Sequence, residues 1–436
     1  MSNTTRSVAT SWSEYDHFRR FLGCGSSTLS KAPRFRDGEP ALIERGLGCR
    51  VWDADGNEYI DYTNGLGPIT LGHAIPELRE AILSQLDNGI IFGRPHRLEG
   101  EVAELLCDSI PCAERVRFLK TGGEAIAACI RIARHATGRK YVVQCGYNGW
   151  LNNLGASSGF TPPGIAAASG AGATRPTGSS RDASPSSGVT RGTPDELSAL
   201  HVALPWGDTA PWEAAFAEHG DEIAAVVIAS SYPEMERGAE FLPHIRELTR
   251  RHGAVMIMDE IVTGFRLAVA GAEEYFGFEP DLAVFAKGMA NGMPISAYLG
   301  REDLIELAGE IPISTTFGGE TLSLAVVKAV IEIYRTRGVI DHLWSVGRVL
   351  WTEVQRRFHE AGLPIRLDGV PVCPTFTMTG DIERDALLRS AYRNGLLLYS
   401  VPYITFSHRE PDVEETLERF DSVITELSRA ATAGAR

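Results

Sequence analysis

Apolar residues in this chain come in short runs, and the stretches between many of them are spaced like helices. Val255-Met256-Ile257-Met258-Asp259-Glu260 and Val284-Phe285-Ala286-Lys287-Gly288 each begin with an apolar run that ends at polar and turn residues. That is the pattern of buried parallel strands. Arg115–Lys120 reads as another strand, followed by the turn Thr121-Gly122-Gly123. Glu124–Thr137 then reads as a helix, with Ile126, Ile130 and Ala133 on one face and Gly138 as its stop. Lys140–Gln144 is the next strand, and Cys49–Tyr62 reads as a hairpin around Asp55-Gly56.

The same pattern sets the organisation. Residues 75–110 read as helical, and strand and helix alternate from about 95 to 320. The expected fold is therefore α/β, a mostly parallel central sheet covered by helices. Residues 321–430 read as helices (Thr321–Arg337, Asp412–Ser428) with short strands at Thr375–Thr379 and Leu396–Tyr399. The expected domains are an N-terminal segment at 1–94, a large domain at 95–320 and a small α+β domain at 321–436, to which the N-terminal segment contributes. Residues 1–20 are polar and are expected to be mobile or docked on a partner subunit. Gly155–Thr193 is rich in Gly, Ala, Ser, Thr and Pro, without periodicity, as in a disordered surface insertion.

Composition narrows the class without naming a chemistry. A chain of 436 residues with 44% hydrophobic and 22% charged content has the make-up of an ordinary soluble globular protein. No run approaches the roughly 18 apolar residues of a membrane span, and the N-terminus has no signal-peptide pattern. Seven cysteines without a CxxC or Cys/His cluster point to reduced thiols in the cytoplasm and against a zinc site. Cys107 and Cys129 fall in helical patterns as small core residues. The net charge of −14 disfavours nucleic acid as a partner and is compatible with a cationic small substrate. Solubility alone also accounts for it.

The candidate chemistry sits at strand ends, where open α/β sheets place their sites. Lys287 and Asp259 each follow a buried strand, and a lysine beside an aspartate there suits pyridoxal phosphate. The lysine takes the cofactor aldehyde as a Schiff base, and the carboxylate keeps the pyridine nitrogen protonated. A solvated loop lysine is the plain alternative. Gly122-Gly123 at a strand-to-helix turn lets backbone N–H groups approach a phosphate, although a tight turn alone also uses such glycines. Tyr147, in Gly146-Tyr147-Asn148-Gly149-Trp150, can stack on a ring or simply be a surface aromatic.

Taken in order, these motifs resemble a known family. The chain carries Gly48-Cys49-Arg50-Val51-Trp52-Asp53-Ala54-Asp55-Gly56-Asn57-Glu58-Tyr59-Ile60-Asp61-Tyr62, Leu71-Gly72-His73, Thr121-Gly122-Gly123-Glu124-Ala125 and Tyr147-Asn148-Gly149. Asp259-Glu260-Ile261-Val262-Thr263-Gly264-Phe265-Arg266, Lys287-Gly288 and Thr316-Phe317-Gly318-Gly319 follow. The set is similar to class III pyridoxal-phosphate aminotransferases of fold type I, nearest to the glutamate-1-semialdehyde aminomutase branch, from about residue 20 to the C-terminal helix. The resemblance implies that Lys287 is the Schiff-base lysine and proton carrier, and that Asp259 pairs with the pyridine nitrogen. It implies that Ile261 and Tyr147 cover the two ring faces, and that Thr121, Gly122 and Gly123 hold the phosphate. Thr316 would reach the phosphate from the partner of a homodimer, and Gly155–Thr193 would be a mobile loop at the site mouth.

Departures from that pattern bear on the substrate. Thr121-Gly122-Gly123 stands for the usual Ser-Gly-Thr, Asn148 for a histidine, Ala229-Ser230 for Glu-Pro, and Glu320 for Asn or His. Ser30 falls where the aminomutase has an arginine for the substrate carboxylate, and the adjacent Lys31 lacks a bidentate fork. A one-residue shift of alignment is the alternative. The expected reaction is ping-pong transfer from an amino-acid donor to a carbonyl acceptor. An oxo-sugar or oxo-aminoglycoside of antibiotic biosynthesis suits that acceptor. An aminomutase, racemase or decarboxylase of the same fold is the alternative reaction. A non-enzymatic regulator would need a DNA-binding region, and the first 45 residues carry no helix-turn-helix pattern.

Overall fold

A computed structural model describes residues 6–151, 193–379 and 384–434. The chain forms two compact units, residues 1–76 with 341–436 and residues 77–340.

The first unit holds the strands β1 (Ile43–Leu47), β2 (Arg50–Asp53) and β3 (Glu58–Asp61). β2 and β3 are the expected antiparallel hairpin, with Gly56 at φ 82 in its turn. Residues 6–18, expected to be mobile or docked on a partner subunit, pack against their own chain. Ala9–Phe18 is a helix whose Trp12 and Tyr15 are buried with Val8 against Ala41 and Leu42. Asp55 accepts from the N–H groups of Thr10 and Ser11 at 2.9 and 2.8 Å, which holds the helix start. The helix Val339–Glu360, undelimited in the sequence pattern, brings Trp351 and Phe358 to Phe376 and Phe420 as edge-on aromatic pairs.

The second unit is built on seven strands: β4 (Arg115–Leu119), β5 (Tyr141–Cys145), β6 (His201–Ala203), β7 (Ile223–Ala229), β8 (Val255–Asp259), β9 (Leu282–Phe285) and β10 (Ser296–Gly300). The remaining short strands, β11 (Ile365–Asp368), β12 (Thr375–Met378) and β13 (Leu396–Leu397), belong to the first unit, where β13 lies parallel to β3. The large sheet runs β4-β10-β9-β8-β7-β5-β6, and only β10 is antiparallel to its neighbours. Because β4 and β9 are both antiparallel to β10, they point the same way. The C-terminal ends of β4, β5, β7, β8 and β9 therefore share one edge. Every residue of β8 and β9 is buried, as strands covered on both faces require.

The helix Gly122–Thr137 packs on one face of this sheet, burying Ile126, Ile130 and Ala133 as expected. Gly138 ends it at φ 66, a left-handed cap that a side chain would strain. The expected helix over 75–110 is instead two helices, Pro76–Leu86 and Arg97–Ser109, broken around Asn88-Gly89 and Pro95. Gly89 sits at φ 98, and proline restricts the residue before it, so one helix cannot run through. Apart from its last residue, Gly155–Thr193 lies outside the described residues.

Candidate active site

Asp259 ends β8 and Lys287 follows β9, so adjacent parallel strands carry the two residues to the same edge. Asp259 is 7% exposed. Burial pushes its carboxyl up to about 6, opposed by the Ile261 N–H, the charge of Lys287 and the Asn148 amide. The Ile261 N–H donates to Oδ1 at 3.0 Å, and Oδ2 has no backbone donor among the described residues. Lys287 is half-buried, with φ of 43, in a short 3-10 turn over Lys287–Ala290. A long side chain in that left-handed conformation is strained, and such strain gathers at functional sites.

The third element is the turn after β4. Thr121 caps the helix Gly122–Thr137, its hydroxyl accepting from the Glu124 N–H at 3.3 Å and donating to Glu124 Oε2 at 3.1 Å. Glu124 Oε2 also takes the N–H groups of Lys120 and Thr121, and Ser296 Oγ donates to the Thr121 carbonyl at 2.9 Å. Thr121's hydroxyl is thus used within the capping box. Among the described residues, the N–H groups of Gly122 and Gly123 meet no acceptor. They are the open donors of a 16-residue helix start, which favours an anion. A Cβ on Gly122 would lie 2.3 Å from Cδ1 of Ile261, so the turn and the residue two after Asp259 are in close contact.

On the other side of β8, two strands away, β5 leads into Gly146-Tyr147-Asn148. Gly146, at φ 73, sits so close to β7 that a Cβ would come 2.5 Å from the Ala229 carbonyl. Tyr147 is 67% exposed, and partial desolvation with the Asp259 carboxylate holds its phenol above the usual range. Asn148 is fully buried and has two possible amide orientations. In one, its NH2 reaches Asp259 Oδ2 at 3.5 Å. In the other, the NH2 donates to the Cys145 carbonyl at 3.2 Å and the oxygen accepts from the Ala229 N–H at 3.3 Å. The second satisfies two backbone groups and leaves Oδ2 for another donor, so hydrogen bonding favours it.

Thr316 stands exposed on the turn before the helix Thr321–Arg337, and its hydroxyl makes no hydrogen bond among the described residues. Asn148, Glu124 and Ser296 have roles the sequence reading did not assign. Asn148 had one signal, a polar residue on a Gly-flanked turn at the right edge.

A carboxylate and a lysine on neighbouring strand ends, with two open N–H groups at a helix start on the same edge, fit an aromatic aldehyde cofactor bearing a phosphate. Together with this sheet they define a pyridoxal-phosphate enzyme of fold type I. The comparisons with known proteins give the family. Residues 34–403 match the family model described as aminotransferase class-III. A relative described as glutamate-1-semialdehyde 2,1-aminomutase from Persephonella marina is 31% identical, covering 95% of this chain and 98% of its own. Among solved structures, an omega-transaminase from Sphaerobacter thermophilus superposes with a TM-score of 0.81 at 24% identity, over 96% of this chain and 98% of that one. Another, described as a transaminase with PLP bound, superposes at 0.83 and 24% identity, over 96% and 98%. The chain belongs to the class III aminotransferases, and its cofactor is pyridoxal phosphate.

Proposed function

We infer that this enzyme moves an amino group from an amino-acid donor to an aldehyde or ketone acceptor in two half-reactions at one site. The observation that carries the reading is the Asp259 and Lys287 pair at one sheet edge, with the open Gly122 and Gly123 N–H groups beside Ile261. When bound, pyridoxal phosphate supplies an electron sink for the substrate carbon that carries nitrogen. Lys287 would hold the cofactor covalently between turnovers. Released by a donor amine, its Nζ would carry the proton that leaves the substrate carbon. Asp259 would hold a proton on the ring nitrogen by its charge. Ile261 and Tyr147 would cover the two faces of the ring, and the Gly122 and Gly123 amides would hold the phosphate.

The site is completed in a homodimer, in which Thr316 reaches the phosphate of the partner subunit. What supports this is the exposed turn that holds Thr316 and Phe317. Beside it runs the segment with exposed Ile90, Ile91 and Phe92, joined where the Thr321 N–H donates to the Ile90 carbonyl. The seven unpaired cysteines support a reducing compartment, the cytoplasm.

The acceptor in this reading is an amine-bearing oxo-sugar of antibiotic biosynthesis. Ser30 stands where a carboxylate-binding arginine is expected, on an exposed 3-10 turn with Lys31 exposed beside it. A substrate carboxylate without a bidentate partner forgoes charge-assisted hydrogen bonds of about 1.5–3 kcal/mol each. The second reading is a glutamate-1-semialdehyde aminomutase, favoured by the name of the 31%-identical relative. The test presents the enzyme, with its cofactor in the amine form, to glutamate-1-semialdehyde and to amine-bearing oxo-sugars. Turnover of the sugars, and a KM for them that rises with ionic strength, supports the first reading. Efficient turnover of glutamate-1-semialdehyde alone supports the second.

A further inference from the structure

The phosphate turn is tied to the turn that carries Thr316 by one ion pair. Lys120, the residue before Thr121, donates from Nζ to Glu320 Oε2 at 2.8 Å, with both side chains mostly buried. Glu320 also caps the helix Thr321–Arg337. Its Oε1 accepts from the Leu322 N–H at 2.7 Å, and its Oε2 from Ser323 Oγ at 2.6 Å and the Ser323 N–H at 3.2 Å. Burial opposes the charge of Glu320, yet the hydrogen bonds from Lys120 and Ser323 hold its carboxyl below the usual range.

Capping alone does not call for this arrangement. Asp, Asn, Ser and Thr are the favoured caps, and their side chains are short. The added length of glutamate lets one carboxylate cap the helix and hold an ammonium. That ammonium belongs to the residue that leads into the cofactor turn. Three anchors then converge on the turn: Glu124 on the Lys120 and Thr121 N–H groups, Ser296 on the Thr121 carbonyl, and Glu320 on the Lys120 side chain. The last is the one that reaches outside the sheet and its first helix.

We propose that Lys120 and Glu320 are positioning residues for the cofactor phosphate, holding the turn so that the Gly122 and Gly123 N–H groups converge on the anion. This rests on the reading that the phosphate sits at that turn. Lys120 points to Glu320 and touches no part of the cofactor in this account. The pair acts through the backbone of residues 120–123. Its effect is confined to the phosphate end of the ligand and should be invisible to a ligand that lacks the phosphate.

The experiment measures the affinity of the cofactor-free enzyme for pyridoxal phosphate and for pyridoxal, together with its melting temperature. Glu320→Asp keeps a good helix cap but is too short to reach Lys120, so it should fold. It should weaken pyridoxal phosphate by about tenfold while leaving pyridoxal unchanged, the loss expected for one charged hydrogen bond. Lys120→Met should do the same, and the double variant should be no worse than either single one, because each breaks the same link. A lower melting temperature with an unchanged ratio of the two affinities would show a merely structural pair and overturn the proposal. Tighter binding of pyridoxal phosphate by Glu320→Gln would overturn it too, since that is the behaviour of a charge screen. Gly123→Asp is the control for the underlying reading, because it sets a carboxylate at the turn where a Cβ meets only Leu151 at 3.4 Å. If that variant keeps the preference for pyridoxal phosphate, the phosphate lies elsewhere and both claims fall. If it loses the preference while the Lys120 and Glu320 variants keep it, only the positioning claim falls.

Discussion

Replacing Asp259 by Asn keeps the shape of the side chain and removes its charge. Burial pushes this carboxyl from 3.8 to about 6, against the Ile261 N–H and the Lys287 charge, which favour ionisation. That disfavours the charged form by about 3 kcal/mol relative to an exposed carboxylate. That penalty does not prevent ionisation near neutral pH, and a protonated ring nitrogen beside the carboxylate would offset it. Asp259→Asn should therefore slow abstraction of the substrate proton by about 10²–10³-fold, the range seen on removing one preorganised electrostatic group. The assay is a single turnover with excess donor, following conversion of the cofactor to its amine form with protium and with deuterium on the reacting carbon. The variant should retain cofactor and show a full isotope effect. A rate close to that of wild type would mean that another group partners the nitrogen. Stability supplies a second readout. The folded pKa of Asp259 is raised, so its contribution to the cofactor-free protein is fully present below pH 3.8 and is lost as pH rises through about 6. Cofactor-free Asp259→Asn should thus be the more stable protein at pH 8, and the gap should close near pH 4.

Three further perturbations test other parts of the molecule. Lys287→Ala should abolish covalent attachment and turnover while leaving the fold intact. Borohydride reduction followed by peptide mapping checks this, and cofactor fixed to a different lysine would sink the assignment. Thr316→Ala should weaken cofactor binding, and mixing it with Lys287→Ala should restore partial activity if Thr316 serves the partner's site. No recovery after confirmed subunit exchange would place Thr316 in its own subunit's site. Away from the cofactor, Glu260 is fully buried, and burial pushes its carboxyl up to about 8 despite the hydrogen bonds from Thr263 and the Ala272 N–H. Glu273, which accepts from the Cys112 N–H, is pushed up to about 7, again chiefly by burial. The stability that the two carboxyls contribute is full below about pH 4.5 and is lost as pH rises through 7 and 8. Glu260→Gln should therefore raise the melting temperature at pH 9 relative to wild type, with no gain at pH 4, and equal melting at both pH values would refute the argument.

The sequence by itself determined what depends on neighbours along the chain. The hairpin of β2 and β3, the strand, turn and helix from Arg115 to Thr137, and the helix Thr321–Arg337 all carry local signals: apolar periodicity, glycine at the required turn, and a capping residue. Asp259 and Lys287 were legible for the same reason, because a polar residue that closes an apolar run marks a strand end. The N-terminal helix was less legible, since its three buried residues stand among polar ones and what holds it, Asp55, Ala41 and Leu42, lies about 30 to 45 residues away in sequence. Tertiary structure alone decided what meets across the fold. It set Lys120 against Glu320, 200 residues apart, turned buried Asn148 toward the backbone of Cys145 and Ala229, and put Gly122 on Ile261. The capping box of Thr121 with Glu124, by contrast, is local to three residues, and it leaves the two glycine N–H groups as the open donors. The physical reason is range. Periodicity and capping act over a few residues, whereas strand order and side-chain pairing depend on which distant segments the packed sheet brings within hydrogen-bonding distance.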